Sequence, residues 1–273
     1  MFLALAVLPP ALSAAVQENL PVTRPDAAAV AQDIASAGRL RAQSQRLAKL
    51  YQQAGLGINT EATLQQIAQG SAEMDGEFAN LARYGRKSSA QRVYGRCDGL
   101  WRELRALLKN RPARAGMERV NQLGDEMMIA SGKLTLVIEA EAETPVGRLL
   151  DLSSRLNMLA QRLARLYLQA QAGDATQGVR VDIEQARREF AAGLGELDSA
   201  RDNTPSSRAA LSLARNQWVF FDIAISQLNA SARDDGKAVR NVATSSERIG
   251  QMLDDASAQY VRDYAEVVRQ ARR

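Results

Sequence analysis

Residues 37–51 read Ala37-Gly-Arg-Leu-Arg-Ala-Gln-Ser-Gln-Arg-Leu-Ala-Lys-Leu-Tyr51. A closely similar stretch follows later in the chain, Ser153-Ser-Arg-Leu-Asn-Met-Leu-Ala-Gln-Arg-Leu-Ala-Arg-Leu-Tyr167. Aligning Arg39 with Arg155 gives an offset of 116 residues, and most of the leucines, both glutamine–arginine pairs and the final tyrosine coincide. A long internal repeat of this kind predicts two related helical modules in one chain.

Aromatic residues outside the repeated stretch support the same duplication. Trp101 and Trp218 are the only tryptophans, and they lie 117 residues apart, each within an apolar run. The dipeptides Glu77-Phe78 and Glu189-Phe190 also take matching places after the two motif copies. The small drift in offset predicts short loop insertions between corresponding helices.

The second copy has the period of a packed helix. Its apolar residues recur at alternating spacings of three and four, which predicts a seam of a helical bundle. The first copy is more polar at its N-terminal end, where Asp33 and Ser36 take the place of leucines. The seam of the second copy consists of Leu149, Leu152, Leu156, Leu159, Leu163, Leu166 and Ala170.

The whole chain favours helix. Alanine, leucine, arginine and glutamine are abundant, and alternating runs typical of strands are absent. We predict an all-α fold of two tandem antiparallel four-helix-bundle modules, residues 27–143 and 144–273. The alternative is one continuous bundle with a long helix kinked at Pro145. Turn and cap residues predict helices over 27–54, 60–84, 89–110, 113–143, 146–171, 175–197, 204–230, and from Gly236 to the C-terminus.

The N-terminus has the composition of an export signal. The first fifteen residues, MFLALAVLPPALSAA, carry no charge and end in small residues. We therefore predict a signal peptide over residues 1–15, cleaved near Ala15, and a flexible leader over 16–26. The alternative is an uncleaved N-terminal anchor. No later segment approaches 18 uncharged apolar residues, the length of a membrane span.

The residue inventory argues against an enzyme. The chain has no histidine and one cysteine, Cys97, so triads and transition-metal clusters of the usual types cannot form. We predict no catalytic residue, no cofactor and no metal site. Acidic pairs such as Asp254 and Asp255 are interpreted as solvated helix faces, and Cys97 as a buried bystander.

Charge suggests an anionic ligand. The net charge is +4 and the isoelectric point about 9.4. In an exported protein, small anions or envelope components are better candidates than nucleic acid, which we do not expect as a partner. On a helical wheel of the first copy, Arg39 and Arg46 share one shoulder with Gln43, and Arg41 lies on the other. Arginine forks at a helix seam bind planar oxyanions well, but they also pair with neighbouring carboxylates.

The first motif copy resembles the periplasmic sensor domain shared by the type IV pilus chemotaxis transducer PilJ and by nitrate/nitrite sensor kinases of the NarX/NarQ kind. That signature has the form Ala-Gly-x-x-Arg-Met-x-Ser-Gln-Arg. In the nitrate sensors, an arginine of the motif clamps nitrate at a dimer interface, and the resemblance places this role on Arg41. The surrounding motif positions correspond to Gly38, Gln43, Ser44 and Arg46. The second copy departs from the pattern, with Ser154 and Asn157 where the first has glycine and arginine.

The resemblance implies a periplasmic sensor module that binds a small anion such as nitrate or nitrite. Because this chain has no membrane helix after the motif, no linker and no signalling domain, the module would act through a partner, a membrane receptor or a pilus component. The alternative is a helical interaction protein associated with pili or envelope receptors, without a small ligand. Two Arg41 residues across a dimer would hold an anion better than one, so we expect a weak homodimer that the ligand tightens.

Overall fold

A computed structural model describes residues 27–140, 146–226, 228 and 236–271. Within these ranges the chain forms eight α-helices and one short 3-10 helix, and no strand, which confirms the all-α prediction. No helix of these ranges is long and apolar enough to cross a membrane. The helices are α1 (Ala27–Gly55), α2 (Thr60–Asn80), α3 (Gln91–Leu108), α4 (Arg114–Glu139), α5 (Val146–Gln171), α6 (Gln177–Asp198), α7 (Pro205–Ser226) and α8 (Lys237–Ala271).

The helix boundaries agree with the predicted ones to within two residues, except that α4 and α7 end four residues early and that the chain changes conformation after α2. This helix ends at Asn80 rather than near residue 84, and residues 82–86 form the 3-10 helix. The early end lets Tyr84 turn into the core, where its hydroxyl donates to the Asp33 carboxylate at 2.8 Å. The predicted signal peptide, the leader and the proposed kink at Pro145 lie outside the described residues.

The motif helices α1 and α5 occupy the centre of the fold. Helix α1 packs against α2, α4, α5 and α8, and α5 packs in addition against α6 and α8. Helix α3 lies on α4, and α7 lies on α8. The buried apolar side chains of all these helices form one continuous core. The module boundaries at residues 143 and 144 stay a prediction.

The predicted seam is buried. All seven seam residues of α5 are buried, and so are the corresponding positions of α1 except Gln43. The two polar positions, Asp33 and Ser36, are buried with them. The heptad pattern therefore identified the packing face, including the polar part of α1.

Helices α1 and α5 run parallel and in register. Gly38 lies against Ser154, the residue that the repeat aligns with it, and Ile34 lies against Gly147. The pairing continues towards the C-terminal ends, where Gln45 contacts Arg165. Because contacts advance together along both helices, the two motif copies face each other with the offset of the repeat.

The aromatic pairs are repeated as well. Phe78 and Trp101 stack with ring centroids 6.5 Å apart, and Phe190 and Trp218 stack at 4.1 Å. Each pair joins the first helix after a motif helix to the second, that is, α2 to α3 and α6 to α7. The shared offset of the tryptophans therefore reflects the same aromatic contact in both halves of the chain.

Replacing Gly38 by alanine should separate α1 from α5. An added Cβ would lie 2.4 Å from Oγ of Ser154 and 2.5 Å from its Cβ, and a Cβ cannot move away by rotation. We expect Gly38→Ala to lower the free energy of unfolding by about 1–3 kcal/mol, as overpacking does. Urea unfolding followed by far-ultraviolet circular dichroism measures this.

Two variants control this experiment. In α3, a Cβ on Gly99 would meet nothing within 4 Å, so Gly99→Ala should raise stability by about 0.5–1 kcal/mol. The double variant Gly38→Ala with Ser154→Gly should recover part of the loss, because it clears the contacting atoms. Equal stability of Gly38→Ala and the wild type would show that α1 and α5 are not held this closely.

Candidate ligand-binding site

The polar side chains of α1 face two different sets of neighbours. Arg39, Gln43 and Arg46 line a cleft shared with α2, α5 and α8, as the helical wheel predicted. Arg41 instead bonds to α5, and Ser44 to α4. The five residues that the resemblance singled out therefore do not converge on one point.

Arg41 is buried in the contact between α1 and α5. It is 7% exposed, and its Nη2 donates to Oδ1 of Asp151 at 2.7 Å and to Oγ of Ser154 at 2.9 Å. The backbone oxygen of Asp151 accepts from the same Nη2 at 2.9 Å. Its Nε–H finds no acceptor in the described part of the chain. Asp151 thus neutralises the positive charge of Arg41, while the buried Nε–H of Arg41 stays without an acceptor in the described ranges.

Gly38 and Ser44 support helix packing around Arg41. Ser44 Oγ donates to the backbone oxygen of Arg41 at 2.8 Å and lies 3.3 Å from that of Gly124 in α4. Gly38 permits the close approach of α5 at Ser154. Both residues hold the neighbours of Arg41 in place, and neither lines the cleft on the other side of α1.

The polar cleft lies between α2 and α8 and has a volume of about 280 Å³. Carboxylates of α2 meet polar side chains of α1 along one wall. Arg39 Nη2 donates to Oε2 of Glu77 at 3.0 Å, and Gln43 Nε2 donates to Oε2 of Glu73 at 2.6 Å. Helix α1 thereby fixes the side chains of α2 at the edge of the cleft.

A charged cluster joins α1 to α8 at one end of the cleft. Arg46 Nε donates to both carboxylate oxygens of Glu247, at 2.9 and 3.1 Å. Lys49, which is fully buried, also bonds to Glu247. Burial alone would raise the pKa of Glu247, but the two cations outweigh it and hold the pKa at about 2. Glu247 is therefore ionised throughout the physiological range.

Hydrogen bonds cross between the two motif copies at aligned positions. Lys49 Nζ donates to Oε1 of Gln161 at 2.8 Å, and Arg165 Nε donates to Oε1 of Gln45 at 2.9 Å. Each of the two cations also bonds to a carboxylate. Lys49 bonds to Glu247 of α8, and Arg165 Nη2 donates to Oδ1 of Asp125 of α4 at 2.7 Å. The repeat offset relates Lys49 to Arg165 and Gln45 to Gln161, so the two halves exchange equivalent bonds.

Arg155 and Arg162 of the second motif copy are both paired with carboxylates of α6. Arg155 Nη2 donates to Glu189 at 2.8 Å, and Arg162 Nη2 to Asp182 at 3.0 Å. The Arg155–Glu189 pair corresponds to Arg39–Glu77 of the first half. It is more exposed, and surface pairs of this kind contribute little to stability.

Asp254 is a residue of the cleft for which the sequence analysis predicted a different environment. We interpreted it as part of a solvated face, which is wrong, because it lines the cleft and accepts from Nδ2 of Asn157 at 2.9 Å. Only its neighbour Asp255 is exposed. The spacing of residues along the sequence could have revealed this position. Asp254 lies four residues after Gly250 and seven after Glu247, so the three residues share one face of α8.

The carboxylate of Asp254 has an amide, Asn157, as its hydrogen-bond partner. No cation of the described residues lies within salt-bridge distance of it. Burial raises the pKa of Asp254 to about 6, although the Asn157 hydrogen bond and the more distant charges of Arg39 and Arg46 lower it. Near neutral pH the cleft therefore holds an ionised carboxylate whose charge is only partly compensated.

The first half of the chain matches the model of a known protein family. Residues 26–124 match the family described as the N-terminal part of type IV pili methyl-accepting chemotaxis transducers. This range contains the first motif copy, α2, α3 and the beginning of α4; the second motif copy lies outside it. No curated protein matches the chain, and no solved structure does. Over residues 26–124 the chain is thus similar to a sensory domain that acts through other proteins.

Replacing Asp254 by asparagine should stabilise the protein at neutral pH. The folded-state pKa of about 6 lies above the reference value of 3.8, so folding disfavours the ionised form. The cost is absent at low pH, grows between these two values and is complete above them. We expect Asp254→Asn to raise the free energy of unfolding by about 1–3 kcal/mol at about pH 7.5, and by much less at about pH 4.

Chemical denaturation at the two pH values tests this. Asp255→Asn is the matched control, because the adjacent carboxyl is exposed and should change stability by less than about 0.5 kcal/mol. A destabilised Asp254→Asn protein at neutral pH would contradict the charge imbalance described above.

Proposed function

We propose that this protein is a non-enzymatic, periplasmic sensor-type module that binds a small anion and acts through a partner protein. The match of residues 26–124 to the chemotaxis transducer family supports the sensory role. The observation that carries the ligand is the buried guanidinium of Arg41, whose Nε–H has no acceptor within the described ranges. A planar oxyanion such as nitrate or nitrite offers the acceptor that this donor lacks.

The parallel contact of α1 and α5 supports a second part of the proposal. In the resembling nitrate sensors, two copies of the motif helix meet in a dimer. Here the two motif copies of one chain face each other in register, with Gly38 against Ser154. We infer that the chain supplies both halves of the sensory unit by itself. The partner would then read a change in the packing of α1 on α5.

The two halves would not contribute equally to the ligand. Asn157 occupies the position that the repeat aligns with Arg41, and it bonds to Asp254 instead. A second guanidinium from this motif position can therefore come only from another chain. The weak homodimer stays a prediction, and sedimentation velocity with and without nitrate measures it. A monomer unchanged at saturating nitrate would contradict the homodimer alone.

Asp151 competes with any anion for Arg41. Its carboxylate lies 2.7 Å from Nη2, so nitrate must displace it or share the guanidinium with it. Removing one partner of a buried ion pair leaves an uncompensated charge. We expect Asp151→Asn to bind nitrate roughly ten- to a hundredfold more tightly than the wild type, which corresponds to one charged hydrogen bond. Isothermal titration calorimetry measures both affinities.

Two further variants make this experiment specific. Arg41→Ala in the Asp151→Asn background should abolish nitrate binding. Glu189→Gln removes the carboxylate of the exposed Arg155 pair and should leave nitrate binding unchanged. Nitrate affinities that are equal in the wild type and in Asp151→Asn would refute Arg41 as the anion site.

The alternative, a helical interaction protein, has one structural observation in its favour. Helix α7 exposes a stripe of large apolar side chains, among which Phe220 is 67% exposed. Exposed apolar stripes of this kind are typical of protein-binding surfaces. If no anion gives heat with any of the variants, this alternative becomes the better one. The other exposed members of the stripe are Leu213, Val219 and Ile223.

A further inference from the structure

The cleft between α2 and α8 has features of a second binding site, separate from Arg41. Its volume of about 280 Å³ is at the lower end of the range of ligand pockets. Four helices line it, α1 and α2 from the first half and α5 and α8 from the second. A molecule in this cleft would therefore contact both halves of the chain at once.

The charges around the cleft do not balance. Arg39 and Glu77 neutralise each other. Arg46 and Lys49 together face Glu247, and Arg46 lies 3.7 Å from Glu73 as well. In this cluster the positive charges of Arg46 and Lys49 balance the carboxylates of Glu247 and Glu73. The charge of Asp254 has no matching cation among the described residues that line the cleft.

We propose that this cleft binds a small organic ammonium ion, with the carboxylate of Asp254 as its counter-ion. An ammonium group carries three N–H donors and one positive charge. The charge compensates Asp254, and the remaining donors reach oxygen acceptors that line the same cleft. These acceptors include the carboxylate of Glu73 and the side-chain oxygen of Gln43.

Other ligand classes fit the cleft less well. An anion would meet four carboxylates against two guanidinium groups along the lining. A bare divalent metal ion needs several oxygen ligands in one place, and the residues that the structure describes contain no suitable group of three or more. A zwitterion such as glycine could pair its ammonium group with Asp254, but it would add a carboxylate of its own, so the net negative charge of the cleft would remain.

The side chain of Asn157 explains why Asp254 can serve a ligand. Its Nδ2 holds one carboxylate oxygen of Asp254 at 2.9 Å and also donates to the backbone oxygen of Gly250 at 3.3 Å. It fixes the orientation of the carboxylate without neutralising it. In the other half, the aligned position holds Arg41, a cation with its own internal partner. Because the second motif copy has an amide where the first has a cation, the carboxylate of Asp254 in the cleft is only partly compensated.

The test is calorimetric titration of the full chain with ethylammonium chloride near pH 7.5, with sodium chloride as the ionic-strength control. We expect saturable binding that Asp254→Asn weakens at least tenfold. Asp255→Asn, which removes the adjacent exposed carboxylate, should change the affinity less than twofold. Because Asp254→Asn should be the more stable protein, loss of binding in this variant cannot be ascribed to unfolding.

The pH dependence of ethylammonium binding is an independent test of the role of Asp254. The charged or titratable groups that face Asp254 come from α1, α2 and α8, and α5 contributes only amides. Asp254 is the member of this set with a raised pKa, so lowering the pH from about 7.5 to about 5 should weaken ethylammonium binding about tenfold. The groups concerned are Arg39, Arg46, Glu73, Glu77, Glu247 and Asp255.

Three results would overturn the proposal. They are the absence of saturable ethylammonium binding, undiminished binding by Asp254→Asn, and tighter binding of glycine than of ethylammonium. None of them bears on Arg41, which lies on the other side of α1, so this site and the anion site can fail separately. Nitrate binding by Asp151→Asn without any ethylammonium binding would refute the cleft alone.

Discussion

The close parallel contact between α1 and α5 is the constraint on which the rest of the structure depends. At Gly38 the helices lie so close that one added methyl group would collide with Ser154. Helices that approach so closely leave no room for water, so each polar group at the contact needs a protein partner. The hydrogen bonds from Lys49 to Gln161 and from Arg165 to Gln45 meet this need. They also fix the register, because a shift by one residue would break both.

Two similar motif helices within one chain are free of a restriction that a symmetric dimer imposes. In a two-fold dimer both subunits carry the same residue at each position. Here aligned positions can differ, and they do so at Arg41 and Asn157. The first half has placed a cation beside Asp151, and the second an amide beside Asp254. One position of the repeat thus supplies a nearly neutral buried pair in one half and neighbours a partly compensated acid in the other.

Burial determines which charged groups contribute to the stability of this protein. The exposed pairs, such as Arg148 with Glu196, contribute little to stability because solvent screens them. The groups around Glu247 are different, since Lys49 is fully buried and would be costly without its partner. Glu247 therefore belongs to the framework, and its low pKa reflects that role. Asp254 has the opposite shift, which is typical of a group retained for something other than stability.

The sequence by itself determined the helical class and the buried seam, because these depend on the periodicity and local propensity of contiguous residues, and it shows the similarity of residues 37–51 to residues 153–167 directly. It also placed Arg39, Gln43 and Arg46 on one face of α1, which follows from helix geometry alone. It could not show that Asp151 neutralises Arg41, or that Asp254 lies in a cleft. Those facts depend on residues more than 90 positions apart, Arg41 with Asp151 and Asn157 with Asp254. Only the packing of α1 on α5, and of α8 on α5, brings such residues together, and a pattern read along a single helix carries no information about its neighbours.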